Sequence, residues 1–267
     1  MKVALERSTS KPSISELSCQ ALSVSIAGRE LVRDLNVNFD PGSVIAILGR
    51  NGAGKTLTLH TLAGLRSTQA GEVRLGTESL AAWPRRTLAR SLGLLTQTTE
   101  DAFPSTVLDA VLVGRHPHIG FWDWESDQDR RIALEALAAV QLQGFELREV
   151  STLSGGERRR VAIAALLTQS PDVYLLDEPI NHLDPHHQID ILNLLRTKAA
   201  DGHSVIMTLH DAALAARFAD FALLLFGNGA WHYGPKHEVL TAEMMTKLYG
   251  LPVREVKWEE GMTFVMG

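Results

Sequence analysis

A single cysteine, Cys19, in 267 residues excludes an intrachain disulfide and points to a reducing compartment. Basic residues are in the minority, 26 Lys and Arg against 31 Asp and Glu, and the formal net charge of −5 supplies no overall positive field for nucleic acid or an anionic membrane surface. No apolar run approaches the ~18 residues that a membrane-spanning helix requires. The longest cover 161–167 and 221–226, so a role at a membrane needs another chain to cross it. The opening Met1-Lys2-Val3-Ala4-Leu5-Glu6-Arg7 lacks the apolar centre of a secretory leader, and a cytoplasmic setting is expected.

Against these absences stands one dense stretch. Gly49, Arg50, Asn51, Gly52, Ala53, Gly54, Lys55 and Thr56 fit G-x-x-x-x-G-K-[ST] and follow an apolar run over 44–48, short enough for a buried strand. The glycines allow a tight turn whose backbone N–H groups converge on one point, and a helix opening at Lys55 adds its positive dipole end there. The result is a phosphate cradle, in which Lys55 is expected to reach the β- and γ-phosphates and the Thr56 hydroxyl to ligate Mg²⁺.

Residues 1–15 are polar and are expected to form a loose tail. Alternating apolar positions at Leu22, Val24 and Ile26, then Leu35, Val37 and Phe39, predict an antiparallel β region ahead of the cradle. A helix from 55 to about 65, a strand over 71–75, a helix through about 91 and a strand over 92–96 that delivers Gln97 to its end follow. Between Gln97 and Leu153 the spacing is helical at 107–112 and 127–142, with Ile132, Ala136 and Val140 on one face, and is read as a helical insertion. Beyond it, helices over 157–169, 185–200 and 211–218 alternate with strands over 173–176, 204–209 and 221–226, which implies a mostly parallel, three-layered α/β sheet. Residues 253–265, turning near Glu260, suggest a small hairpin.

Asp177 and Glu178 end an apolar strand and so sit at the carboxyl edge of the sheet, where such folds bind ligands. Asp177 is expected to hold Mg²⁺ through water, and Glu178 to orient or deprotonate an attacking water near the γ-phosphate. A second anion site is expected at Leu153-Ser154-Gly155-Gly156-Glu157, where Ser154 caps a helix and the glycines leave its first N–H groups uncovered. Arg158, Arg159 and Arg160 fan around the helix axis, and at least two are expected to be merely solvated. His182, His186 and His187 lack the partners of a tetrahedral metal site and are assigned to helix capping and interfaces.

The phosphate loop, Gln97, LSGGE at 153–157, YLLDEP at 174–179, Asn181 to Asp184 and His210 after a strand resemble, in this order, the nucleotide-binding subunits of ABC transporters. The resemblance covers roughly residues 17–253. It implies an ATPase domain over 16–253 with the P-loop NTPase (RecA-like) core, an antiparallel β region and a helical subdomain at about 98–168, followed by a short tail over 254–267. It also implies a head-to-tail homodimer in which each ATP, with Mg²⁺, lies between the phosphate loop of one copy and Ser154, Gly155 and Gly156 of the other. In such a dimer Gln97 contacts Mg²⁺ or the attacking water and senses the membrane partner, His210 bonds the γ-phosphate and Asp184 links the two sites. Partners would be two membrane-spanning permease subunits and, indirectly, a substrate-binding protein, with no nucleic acid.

Within the family, Thr106-Val107-Leu108 through Gly114-Arg115-His116-Pro117-His118, together with 210–220 and 238–250, is similar to importers of iron–siderophores, haem and cobalamin. An exporter ATPase, or a soluble member acting as an assembly factor, is the alternative. Two positions depart from the family's pattern. Ile26 stands where an aromatic ring usually stacks on adenine, and Ile180 replaces a small hydroxyl residue. Trp122 and Trp124, in a polar loop of the insertion, are expected either to pack internally or to meet the permease.

Overall fold

The computed structural model describes residues 16–97, 104–120, 122–258 and 261–267. The expected tail over 1–15, the opening of the insertion at 98–103, Phe121 and the turn at Glu260 lie outside them. The chain begins with β1 (Leu17–Ile26) and β2 (Arg29–Phe39), paired antiparallel through Ala27 and Gly28, whose φ angles of +48° and +78° reverse the backbone. Next come β3 (Val44–Gly49), α1 (Lys55–Leu62), β4 (Ala70–Leu75), β5 (Glu78–Ser79), α2 (Arg85–Ser91) and β6 (Leu92–Leu95). The insertion carries α3 (Val107–Leu112) and α4 (Asp127–Ala139), and α5 (Gly155–Gln169) leads back to β7 (Val173–Leu176). The remainder runs α6 (Pro185–Ala200), β8 (Ser204–Thr208), α7 (Ala212–Phe218), β9 (Phe221–Leu225), β10 (Trp231–Pro235), α8 (Lys236–Val239), α9 (Ala242–Tyr249), β11 (Val253–Trp258) and β12 (Gly261–Met266).

Two large sheets organise these elements. One is antiparallel in the order β2-β1-β4-β5; the other, β10-β9-β3-β8-β7-β6, is parallel except for β10 at its edge. Strands covered on both faces read as unbroken apolar runs, and β3, β7 and β8 are buried at every position. Because successive side chains point to opposite faces, β3 feeds two cores. Val44, Ala46 and Leu48 pack with Val111, Leu137, Ile163 and Leu192 from the helical side, while Ile45 and Ile47 pack with Leu22, Phe39 and Leu59 under the antiparallel sheet. The expected three-layered arrangement follows from this division.

Local chemistry sets the helix ends. α3, α4 and α5 each open with a capping box, and α6 opens with Asp184 accepting from the His187 N–H and Pro185 in the first turn. At α4, Asp129 accepts from the backbone and hydroxyl of Ser126 and from the Arg115 guanidinium at 2.7 Å, which together hold its carboxyl at about 2. Arg115 also donates to the Thr168 carbonyl, so this cluster fastens α4 to the end of α5.

Several expected boundaries move. α1 ends at Leu62, where Gly64 turns left-handed at φ +69°, and α4 ends at Ala139, with Gln141 at φ +58° folding Leu142 back into the core. The buried positions of α4 are Asp129, Ala133, Ala136 and Leu137, with Val140 buried just past its end and Ile132 half-buried. β10, α8 and α9 were not foreseen; β10 closes the sheet edge by pairing with β9. Trp122 and Trp124 are each 88% exposed, which rules out the expectation that they pack internally.

Candidate functional site

The parallel register sends the carboxyl ends of β3, β6, β7 and β8 to one edge of the sheet, and every expected hydrolytic residue lies on the loops leaving that edge. After β3, Gly52 and Gly54 adopt φ of +78° and +99°, bending the loop over the start of α1. A side chain at Gly49 is excluded by its neighbour, since a Cβ there would lie 2.6 Å from the Leu225 carbonyl oxygen of β9. Arg50, Asn51 and Gly52 form the exposed crest, whereas Ala53 and Lys55 are buried and Thr56 is half-buried. Lys55 folds back over this loop, its Nζ donating to the carbonyls of Gly49 at 2.8 Å and Arg50 at 3.4 Å. Burial lowers its pKa, against the opposing pull of Glu178 and Asp177, so the ammonium lies in the field of both carboxyl groups.

At the end of β7, Asp177 is fully buried. Its Oδ1 accepts from the Thr208 hydroxyl at 2.6 Å, while Oδ2 has no protein partner. An unpartnered buried carboxyl oxygen beside a phosphate cradle fits a residue that holds a hydrated cation. The same Thr208 oxygen accepts from the Glu178 N–H at 2.8 Å, so one hydroxyl from β8 fixes both acidic residues.

Glu178 gathers the other polar groups. Its Oε1 lies 2.5 Å from His210 Nε2, and its Oε2 accepts from Gln97 Nε2 at 3.0 Å and from the Asn181 side-chain amide. Gln97, Glu178 and His210, expected singly from the ends of β6, β7 and β8, thus meet on one carboxylate. The Glu178 backbone is left-handed at φ +49°, a costly conformation for a residue with a side chain and one that recurs at functional sites. Sequence reading gave Asn181 no partner; its place three residues after Glu178 in a tight turn was the available signal.

Two expectations about the signature stretch fare differently. Ser154 caps α5 as foreseen, accepting from the Glu157 N–H at 3.2 Å while the Glu157 carboxylate accepts from the Ser154 N–H at 2.7 Å. The three arginines, however, differ: Arg158 is exposed, Arg160 is half-buried and Arg159 is buried, and each donates to backbone carbonyls. Arg158 donates to the Leu153 carbonyl, Arg160 to those of Val140 and Gln141, and Arg159 is buried against the loops after β6 and β7. Their fan around the axis separates them, because α5 packs on α3, α4 and β6 while its first turn stays open to solvent at Gly155 and Arg158.

Ser154, Gly155 and Gly156 line a cleft together with His182, Leu183, Asp184 and His187. No residue of the phosphate loop lines it. His187 turns its ring to the Asp184 carboxylate at 2.8 Å. Ile26 stands at the tip of the β1–β2 turn and is 47% exposed. That turn is tied towards the phosphate loop by Arg29, which donates to the Gly227 carbonyl at 2.9 Å, and Gly227 in turn leaves only 2.9 Å between an added Cβ and Ala53 Cα.

A strand, a glycine-rich phosphate loop and acidic residues at the carboxyl edge of a parallel sheet define a P-loop nucleoside triphosphatase. Comparison with known proteins narrows the class. The ABC transporter family profile matches residues 32–181. Over 240 residues the chain is 37% identical to the Hemin import ATP-binding protein HmuV of Thermobifida fusca, covering 90% of this chain and 84% of that protein. It is 33% identical over 237 residues to the Iron(3+)-hydroxamate import ATP-binding protein FhuC of Bacillus subtilis, covering 88% of each. A putative metal-chelate type ABC transporter solved in an inward-facing conformation superposes with a TM-score of 0.83 at 28% identity, covering 95% of this chain and 98% of that one. The chain belongs to the ABC transporter family, and is an ATP-binding ATPase of that family.

Proposed function

We propose that this chain energises the import of an iron-bearing chelate, haem or a ferric siderophore, as a head-to-tail homodimer beneath two membrane-spanning permease subunits fed by a substrate-binding protein. The observation that carries the dimer is the division of the phosphate-binding groups between two surfaces. Lys55 and the loop from Gly49 share one edge with Glu178, while Ser154, Gly155 and Gly156 line a separate cleft without any residue of that loop. A second copy turned through half a revolution brings its Ser154 cleft to the first copy's cradle, and each ATP is then enclosed by both chains. The nature of the cargo rests on the relatives, which are named for hemin and iron–hydroxamate import.

Each residue takes a role in this reading. Lys55 exchanges the Gly49 and Arg50 carbonyls for the β- and γ-phosphates, and the backbone N–H groups from Arg50 to Thr56 surround the phosphate chain. Mg²⁺, held by Thr56, by Asp177 through water and in reach of Gln97, would neutralise charge on the phosphates. His210 moves its Nε2 from Glu178 to a γ-phosphate oxygen, and that departure frees Glu178 Oε1 to accept a proton from the attacking water. Gln97 and Asn181 keep Oε2 in place. Ile26 covers one face of the adenine, and Asp184 lies at the interface beside the partner's site.

The permease contact is assigned to a groove of about 730 Å³ between α3 and α5, whose apolar wall includes Leu94, Leu95, Val113, Val161, Ala162 and Leu166. Thr96 lines its floor, one residue from Gln97, so occupancy of the groove bears directly on a Glu178 ligand. Trp122 and Trp124, exposed on the same insertion, are assigned to the same contact. Among the described residues no helix is long and apolar enough to cross a membrane, which leaves attachment at the cytoplasmic face to the permease.

The test is affinity purification of tagged Glu178→Gln from detergent-solubilised native membranes with ATP and Mg²⁺. Recovery of a many-spanning permease encoded with a substrate-binding protein supports the proposal; reproducible recovery of soluble partners alone contradicts it.

A further inference from the structure

Arg159 is a charged side chain that the roles above leave unused, and it is 4% exposed. Its guanidinium donates to five carbonyls on two loops: Thr96 at 2.6 Å and Gln97 at 3.4 Å after β6, then Asp177, Glu178 at 2.8 Å and Pro179 at 3.2 Å after β7. Three consecutive carbonyls turned towards one point require an unusual backbone, and Glu178 supplies it with φ +49°. Without a cation at their focus these oxygens would repel one another and the turn would relax towards ordinary φ. A planar fork of N–H donors suits the position, because one group spans both loops. Burial draws its pKa down to about 10, with Asp177 and Glu178 opposing the shift, so the cation is held there by the neighbouring carbonyls and carboxyl groups together.

We infer that Arg159 is a positioning residue for hydrolysis, holding the Glu178 turn and the backbone of Gln97 in catalytic register and fastening both to the head of α5. Ser154 lies five residues earlier on that helix, about 7.5 Å along its axis. In the head-to-tail dimer Ser154 contacts the ATP of one site while Glu178 of the same chain serves the other. Arg159 therefore makes a rigid link between the two sites through each subunit. The inference rests on the assignment of Glu178 as the base.

Arg159→Gln and Arg159→Lys in the full chain test it, with steady-state ATP hydrolysis normalised to nucleotide sites titrated by a fluorescent ATP analogue. A displaced catalytic group costs on the order of 100-fold in rate. We expect kcat per titrated site to fall by about that factor in Arg159→Gln with ATP KM within about threefold of wild type. Arg159→Lys keeps the charge but cannot span both loops, and is expected to recover stability while kcat stays at least about tenfold low. If Arg159→Gln fails to fold, the lysine variant alone decides. A merely structural role lowers the number of titrated sites and leaves kcat per site at the wild-type value, which would overturn the inference. Glu178→Gln, assayed alongside, separates the two readings: near-wild-type turnover there removes the base assignment, whatever the arginine variants do.

Discussion

Thr208 offers the sharpest test of how the acidic pair is held. Its hydroxyl, fully buried in β8, donates to Asp177 Oδ1 at 2.6 Å and accepts from the Glu178 N–H at 2.8 Å. Thr208→Val keeps the shape and removes both bonds. The Glu178 N–H and Asp177 Oδ1 are then buried without partners, beside an Oδ2 that already has no protein partner. Each orphaned group costs about 1–3 kcal/mol, and part of that is recovered by the added apolar contact, so a loss near 3 kcal/mol is expected. Thr208→Ser keeps the hydroxyl and loses one methyl, which costs about 1 kcal/mol. The difference of about 2 kcal/mol should appear in urea unfolding as a midpoint for Thr208→Val roughly 0.7 M below that of Thr208→Ser, for a slope of about 3 kcal/mol/M. Equal midpoints, or a more stable valine variant, would refute the claim that this hydroxyl holds both residues.

Asp129 should give a pH signature. Its folded carboxyl, held at about 2 against an ordinary 3.8, contributes stability that is complete above the unfolded value and is lost as pH falls towards the folded one. The melting-temperature advantage of wild type over Asp129→Asn is therefore expected to stay level from pH 7 to about 5 and to shrink between about 4 and 2; an advantage that grows on acidification contradicts the assignment. For the proposed adenine contact, Ile26→Tyr adds a stacking surface worth about 0.5–1.5 kcal/mol, so ATP should bind roughly 2- to 12-fold more tightly in an equilibrium titration. Unchanged affinity would remove Ile26 from the adenine face.

The phosphate loop, the acidic pair and the capped head of α5 were legible because each is local: a few residues whose types fix a turn, a strand end or a helix start. The buried strands β3, β7 and β8 were legible for a related reason, since burial on both faces leaves an unbroken apolar run. What sequence did not disclose depends on which elements meet. Arg158, Arg159 and Arg160 are chemically alike in sequence, and only the packing of α5 against the loops after β6 and β7 separates the buried one from its neighbours. The meeting of Gln97, Asn181 and His210 on Glu178 depends on the order β8-β7-β6, which no single strand encodes. β10 was not legible because its glycine and proline suit an edge strand and weaken the strand pattern.

The central claim is that ATP is hydrolysed at a site made by two copies of the chain, with Glu178 as the base. Sedimentation velocity of full-length Glu178→Gln with and without ATP and Mg²⁺ tests it most directly. The account predicts a dimer that forms only with ATP, persists because turnover is blocked, and is abolished by adding Ser154→Arg at the head of α5. A Glu178→Gln protein that binds ATP with wild-type stoichiometry yet remains monomeric at saturation would contradict it.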